Sequence, residues 1–167
     1  MMGAGITTFS DSLESIVGLV VGRARIRAGS FLLLDLSASY PSSVVSPVDP
    51  LVFMYMTAWQ LTFEGQAVAA SEDDRARMQD ACDRLVGERI SSIVLEGPAM
   101  DLQIQFDKHC LRSFAIHSSL SEESGGEVEW AAWLPSKTVV YATPKGAVIE
   151  DARLSDLTKQ RANVDLR

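Results

Sequence analysis

The chain has 167 residues, 47% hydrophobic and 22% charged, a balance that fits one folded domain or two small subdomains sharing a core and excludes an intrinsically disordered chain. Its formal charge of −7 comes with no cluster of Lys and Arg, so affinity for a nucleic-acid backbone is not expected. Residues 16–21, the longest apolar stretch near the N-terminus, are too few to cross a bilayer, and residues 1–8 lack the basic side chains that open a signal peptide; a cytoplasmic protein without a membrane segment is expected.

In chain order, Ser10-Asp11 with Glu14 resembles a capping box opening a short helix through Val17, and Gly18 stops it. The period then falls from near 3.6 to near 2, which predicts strands over 20–26, 31–36, 51–56, 59–63 and 67–70. Ala28-Gly29 and Glu64-Gly65 supply turns, and residues 37–50, rich in Ser and Pro, form an exposed loop. Asp35, beside the apolar run 32–34, is expected to face solvent. A second helix follows Ser71 and the acids Glu72, Asp73 and Asp74, which complement a helix N-terminus. Met78, Ala81, Cys82 and Leu85 form its buried stripe, and Gly87 stops it. Strands are then predicted over 90–95, 100–106, 111–116, 128–134 and 138–142, with a loop over 118–127. Residues 150–161 complete the reading as a helix docked by Leu154 and Leu157, with a frayed tail beyond 162.

These elements repeat. Ile16-Val17-Gly18 matches Leu85-Val86-Gly87, and the segment opened by Trp59 matches the segment opened by Trp130, each leading into a hairpin. Gly22-Arg23 competes with Gly18-Leu19 as the match for Gly87-Glu88, but Gly18 better preserves the spacing to the second strand. The expected fold is α+β and mostly β. Two helix-plus-antiparallel-meander units, residues 1–71 and 72–145, pack as one pseudo-twofold domain, followed by a C-terminal segment over 146–167. One such unit supplies a marginal core by itself, whereas two can bury each other's apolar faces. Trp59 and Trp130 are expected core anchors facing each other near the pseudo-twofold.

The second unit combines Leu85-Val86-Gly87, Asp101-Leu102-x-Ile104-x-Phe106, Leu111 with Phe114, and Glu129-Trp130 before a closing hairpin. This pattern resembles a family of small β-rich bacterial proteins with no assigned activity, some of which are similar to immunity proteins that neutralise a toxin. The resemblance covers about residues 80–143, with a weaker echo over 13–71. Met100 stands where a Gly often precedes the Asp-Leu pair, and Asp107-Lys108-His109 replaces a Gly-containing turn. What the resemblance implies is a protein partner of toxin type; it carries no catalytic residue.

No catalytic set is evident. His109 adjoins Cys110, but neighbours on a strand face opposite ways and are poorly placed to share a proton. Cys82, Cys110, His109 and His117 lack the spacing of a zinc site, and both cysteines read as largely buried free thiols. Asp101 and Asp107 lie too far apart on one strand for paired acid–base work. No nucleotide-binding or hydrolase motif occurs, and neither a metal nor a cofactor is expected. Two binding readings remain. In the first, a non-catalytic protein of immunity type presents Glu72, Asp73 and Asp74, with Trp133, to a protein partner. Trp133 falls on the face opposite Trp130, so it lies either under the C-terminal segment or on a partner surface. In the second, Arg23, Arg25 and Arg27 line a cleft between the two units and bind an anion, as a small-molecule binder or an enzyme. The bland alternative for this stripe is a solvated or edge-protecting sheet face. A structural homodimer is a third arrangement the sequence leaves open.

Overall fold

A computed structural model describes residues 9–39, 46–115 and 128–165. The first half supplies β1 (Val20–Arg27), β2 (Phe31–Ser37), β3 (Leu51–Met54), β4 (Thr57–Phe63) and β5 (Gln66–Ala70). The second supplies helix α1 (Arg75–Asp83), then β6 (Ile90–Glu96), β7 (Asp101–Phe106), β8 (His109–Ala115), β9 (Trp130–Trp133) and β10 (Thr138–Thr143). The chain continues with β11 (Gly146–Asp151) and helix α2 (Asp156–Asp165). All of these strands pair antiparallel, in two sheets: β1-β2-β3-β9-β10-β11 and β5-β4-β8-β7-β6. The fold is α+β and mostly β.

Each sheet draws on both halves of the chain. The chain leaves the six-stranded sheet after Met54 and enters the other at Thr57; the reverse exchange lies between Ala115 and Trp130. The two halves therefore do not pack as separate bodies. They meet at a reciprocal junction. Gly18 N–H donates to the Ile90 carbonyl at 2.8 Å while Gly87 N–H donates to that of Val21 at 2.8 Å. Ile90 N–H donates to Leu19 and Val21 N–H to Glu88, both at 2.9 Å, around a bridge between Val20 and Arg89. Gly18 and Gly87 have φ of +92° and +91°, a left-handed conformation that any side chain would strain. Trp59 donates from Nε1 to the Ser30 carbonyl in the β1–β2 turn, and Trp130 to the Met100 carbonyl in the β6–β7 turn. Both indoles are buried in the core, each tied to the first hairpin of its own half.

The main core fills the space between the sheets. Ile26, Leu32, Leu34, Val52 and Met54 contribute from one side, and Leu61, Leu102, Ile104, Phe106 and Leu111 from the other. Along β7 the alternation is clean, with 102, 104 and 106 buried and 101, 103 and 105 half-buried. The middle of the six-stranded sheet is covered on its outer face as well. There Leu33, Phe53, Trp133 and Val139 lie under Leu157 and Val164 of α2. Strands β3 and β9 are accordingly buried at every residue.

Helix α1 packs against β1 and β5, and its Gln79 substitutes for a missing neighbour strand. Gln79 Oε1 accepts from Ile26 N–H at 3.0 Å, and its Nε2 donates to the Ala24 carbonyl at 3.1 Å. No helix among the described residues is long and apolar enough to cross a membrane.

Five local expectations are corrected. Residues 9–13 are already helical and run into a 3-10 turn at Glu14–Ile16, so Ser10 and Asp11 lie inside the helical segment rather than capping it. Asp35 is buried, not solvent-facing, because Arg23 and Arg25 reach it across the β1–β2 register. The final helix starts at Asp156 because residues 146–151 pair with β10 instead, and it continues through Asp165, past the expected fraying at 162. Leu154 is 83% exposed while Leu157 docks. His117, the loop 118–127 and residues 40–45 of the Ser/Pro loop lie outside the described residues.

Candidate functional site

Arg23, Arg25 and Arg27 stand opposite Asp35, Leu33 and Phe31 in the β1–β2 register, on the outer face of the six-stranded sheet. A strand bulge between Val21 and Arg23 sets their phase. The three meet different fates. Arg23 Nε donates to Asp35 Oδ2 at 2.7 Å with half its side chain exposed, and the buried Arg25 Nη2 donates to Asp35 Oδ1 at 2.8 Å. Burial lowers the pKa of Arg25 although Asp35 opposes that shift. Arg25 and Asp35 thus form a buried pair, and the half-exposed Arg23 closes it from the solvent side.

Arg27, at the end of the stripe, opens onto a cavity of about 520 Å³ bounded by the β1–β2 turn, the first turn of α1 and helix α2. Arg75 enters it from α1, Phe31 from β2, Tyr55 from the end of β3, and Gln160 and Asn163 from α2. Arg27 Nη1 and Arg75 Nη2 both donate to the Ile26 carbonyl, at 3.2 and 3.0 Å. Two guanidinium groups are thereby drawn together, and among the described residues neither pairs with a carboxylate. Arg27 Nε is buried with no partner. Such a pair presents planar N–H donors and positive charge to whatever enters. Among the described residues the lining includes no carboxylate, and its charged groups are two arginines, which gives the site the means to hold an anion.

The wall contributed by α2 is fixed by Arg161. Its Nη1 donates to the carbonyls of Pro47 and Asp49 at 2.9 and 2.7 Å, and the guanidinium lies over the Trp133 ring at 5.1 Å. Burial brings the Arg161 pKa down to about 10. Trp133 donates from Nε1 to Thr158 Oγ1 at 3.1 Å and is fully buried. Trp133 therefore offers no partner surface: α2 covers it, the first of the two placements expected for it.

The acidic run also does local work. Asp74 caps α1 by accepting from Arg77 N–H at 3.0 Å, and Asp73 accepts from Ala70 N–H at 2.8 Å. Glu72 is exposed. A second cavity, of about 470 Å³, holds His109, whose Nδ1 lies 2.8 Å from Glu88 Oε2 while its ring leans on Phe63. Cys110 points to the opposite face of β8, and Cys82 is buried in the core; both thiols are free. Among the described residues no group of three or more His, Cys, Asp or Glu side chains is arranged to hold a metal.

Sequence reasoning found Arg27 but missed Arg75, Phe31, Tyr55, Gln160 and Asn163. One signal was legible. Arg77 and Arg84 each have a carboxylate four positions earlier and pair with it, whereas Arg75 has Ser71 before it and Gln79 after it. The aromatic and amide walls are assembled by tertiary packing between β3 and α2, which no local pattern encodes. Comparison of the chain with protein-family models, with curated proteins and with solved structures found no match.

Proposed function

We propose that this chain is a binding protein for a small anionic molecule, held in the cavity between the β1–β2 turn and the two helices. One observation carries the reading: Arg27 and Arg75 share a single backbone carbonyl inside a cavity and lack a carboxylate partner among the described residues. Two uncompensated guanidiniums repel each other, and an anion between them relieves that repulsion while accepting several charge-assisted hydrogen bonds. The site differs from the cleft expected between the two units. It lies against the first unit and the C-terminal helix. The toxin-neutralising reading leaned on Trp133 and the acidic run, and Trp133 is covered while two of the three acids serve the start of α1. Ligand binding therefore stands ahead of it.

The test is a thermal-shift screen of small carboxylates and phosphates against the wild type, Arg27→Gln and Arg75→Gln. A ligand at 100 times its Kd adds about 2.7 kcal/mol to stability. Each single substitution is expected to weaken binding about tenfold, the size of one charge-assisted contact, and the double substitution to abolish the shift. Equal shifts in all four proteins would remove the cavity from consideration.

A further inference from the structure

We infer that the ligand is an aromatic anion, a planar ring bearing a carboxylate or phosphate group. The inference rests on the anion-binding reading and adds the chemistry of the ligand's body. Arg27 and Phe31 are direct cross-strand partners, so the guanidinium and the ring project side by side from the same sheet face. Tyr55 extends the aromatic wall, its ring centroid 4.6 Å from that of Phe31 at an interplanar angle of 47°. Phe53, only 2% exposed, backs both rings at 5.9 and 5.2 Å in edge-on contacts. Phe31 and Tyr55 are thus braced by a buried neighbour on the same sheet face, yet stay partly uncovered and line the cavity.

A bare inorganic anion needs no such wall. It also needs far less room than about 520 Å³, a volume within the range of sites that enclose whole small molecules. An aromatic ring placed against Phe31 and Tyr55 gains offset or edge-on contact with two preoriented π faces. The same placement sets its attached anionic group beside Arg27 and Arg75. On the far wall Gln160 and Asn163 stand three positions apart on α2, on one face of that helix. Their amides each donate and accept, which suits a ring carrying polar substituents.

The test compares 2-naphthoate, 2-naphthyl phosphate and the saturated analogue decalin-2-carboxylate by titration calorimetry with the full chain. Aromatic anions are expected to bind at least tenfold more tightly than the saturated carboxylate. Tyr55→Leu and Phe31→Leu, each checked by circular dichroism, should erase that preference and keep anion binding; a fold lost in one leaves the other to report. The two aromatic ligands reveal whether the site takes carboxylate or phosphate. Equal affinity for naphthoate and its saturated analogue would overturn the aromatic inference and leave the anion site standing. No binding by any of the three, with Arg27→Gln silent as well, would overturn both.

Discussion

Cys82 shows what complete burial does to a single side chain. It sits in the core on the inward face of α1, and removal from water pushes its thiol up to about 12. The half-buried Cys110 is also raised, again mainly by burial. Because the thiolate of Cys82 is disfavoured in the folded state, its titration favours unfolding. That contribution is neutral below pH 9, and stability falls as pH climbs from about 9 toward about 12. Urea midpoints measured across this range should fall more steeply for the wild type than for Cys82→Ala; parallel slopes would contradict the assignment. Asp35 teaches a related lesson about legibility. Alternation places a side chain in or out only when one face is wet, and β2 is buried from Leu32 through Leu36. The apolar run therefore carried no information on which way Asp35 turned, and its clamp with Arg23 and Arg25 became visible only through strand pairing.

Helix α2 sits among the elements as a cover, held by Leu157, by Thr158 and most extensively by one arginine. Arg161 supplies two carbonyl hydrogen bonds and a stacking contact on Trp133 from a position that is 1% exposed. Arg161→Ala leaves the Pro47 and Asp49 carbonyls without that donor and opens space over the indole. A loss of about 2–4 kcal/mol is expected in urea unfolding, with red-shifted tryptophan emission in the native baseline. An unchanged midpoint would show that α2 holds without it. The ten strands expected from periodicity all form, within a few residues at their ends, because turn residues bracket each of them. Strand β11 escaped notice for a physical reason. Its Ala147 and Ile149 share the inner face with Ala142 and Val140 yet stay exposed, and Glu150 shares the outer face with Val139, so its apolar pattern resembles neither a strand nor a helix face. The final helix consequently begins at Asp156, six residues after the start its apolar spacing predicts.

At the level of the whole molecule, the exchange of strands couples the two halves. Unfolding residues 1–71 would remove three strands from one sheet and two from the other, leaving no complete layer behind. A single cooperative transition is therefore expected. Trp59, tied to Ser30, reports on the first half and Trp130, tied to Met100, on the second, so single-tryptophan variants should unfold at the same urea concentration as the far-ultraviolet circular dichroism. Separate midpoints would mean that the halves fold independently. Pattern reading identified matching segments around Gly18 and Gly87, and the reciprocal hydrogen bonds relate those same glycines. It did not reveal the exchange, since hydrophobic alternation defines the face of a strand and not its partner.

Gln79 has a consequence for how copies of this chain meet. Its amide fills the outer hydrogen-bonding row of β1 beside Ala24 and Ile26, and the segment around Glu88 fills that row beside Val21. Among the described residues, nothing pairs with the outer row of β11. Among the described residues the six-stranded sheet thus has one sealed margin and one bare margin. Joining through the bare margin uses it up on both partners, so edge-to-edge growth of this sheet is self-terminating: it closes at a pair and cannot run on into a fibre.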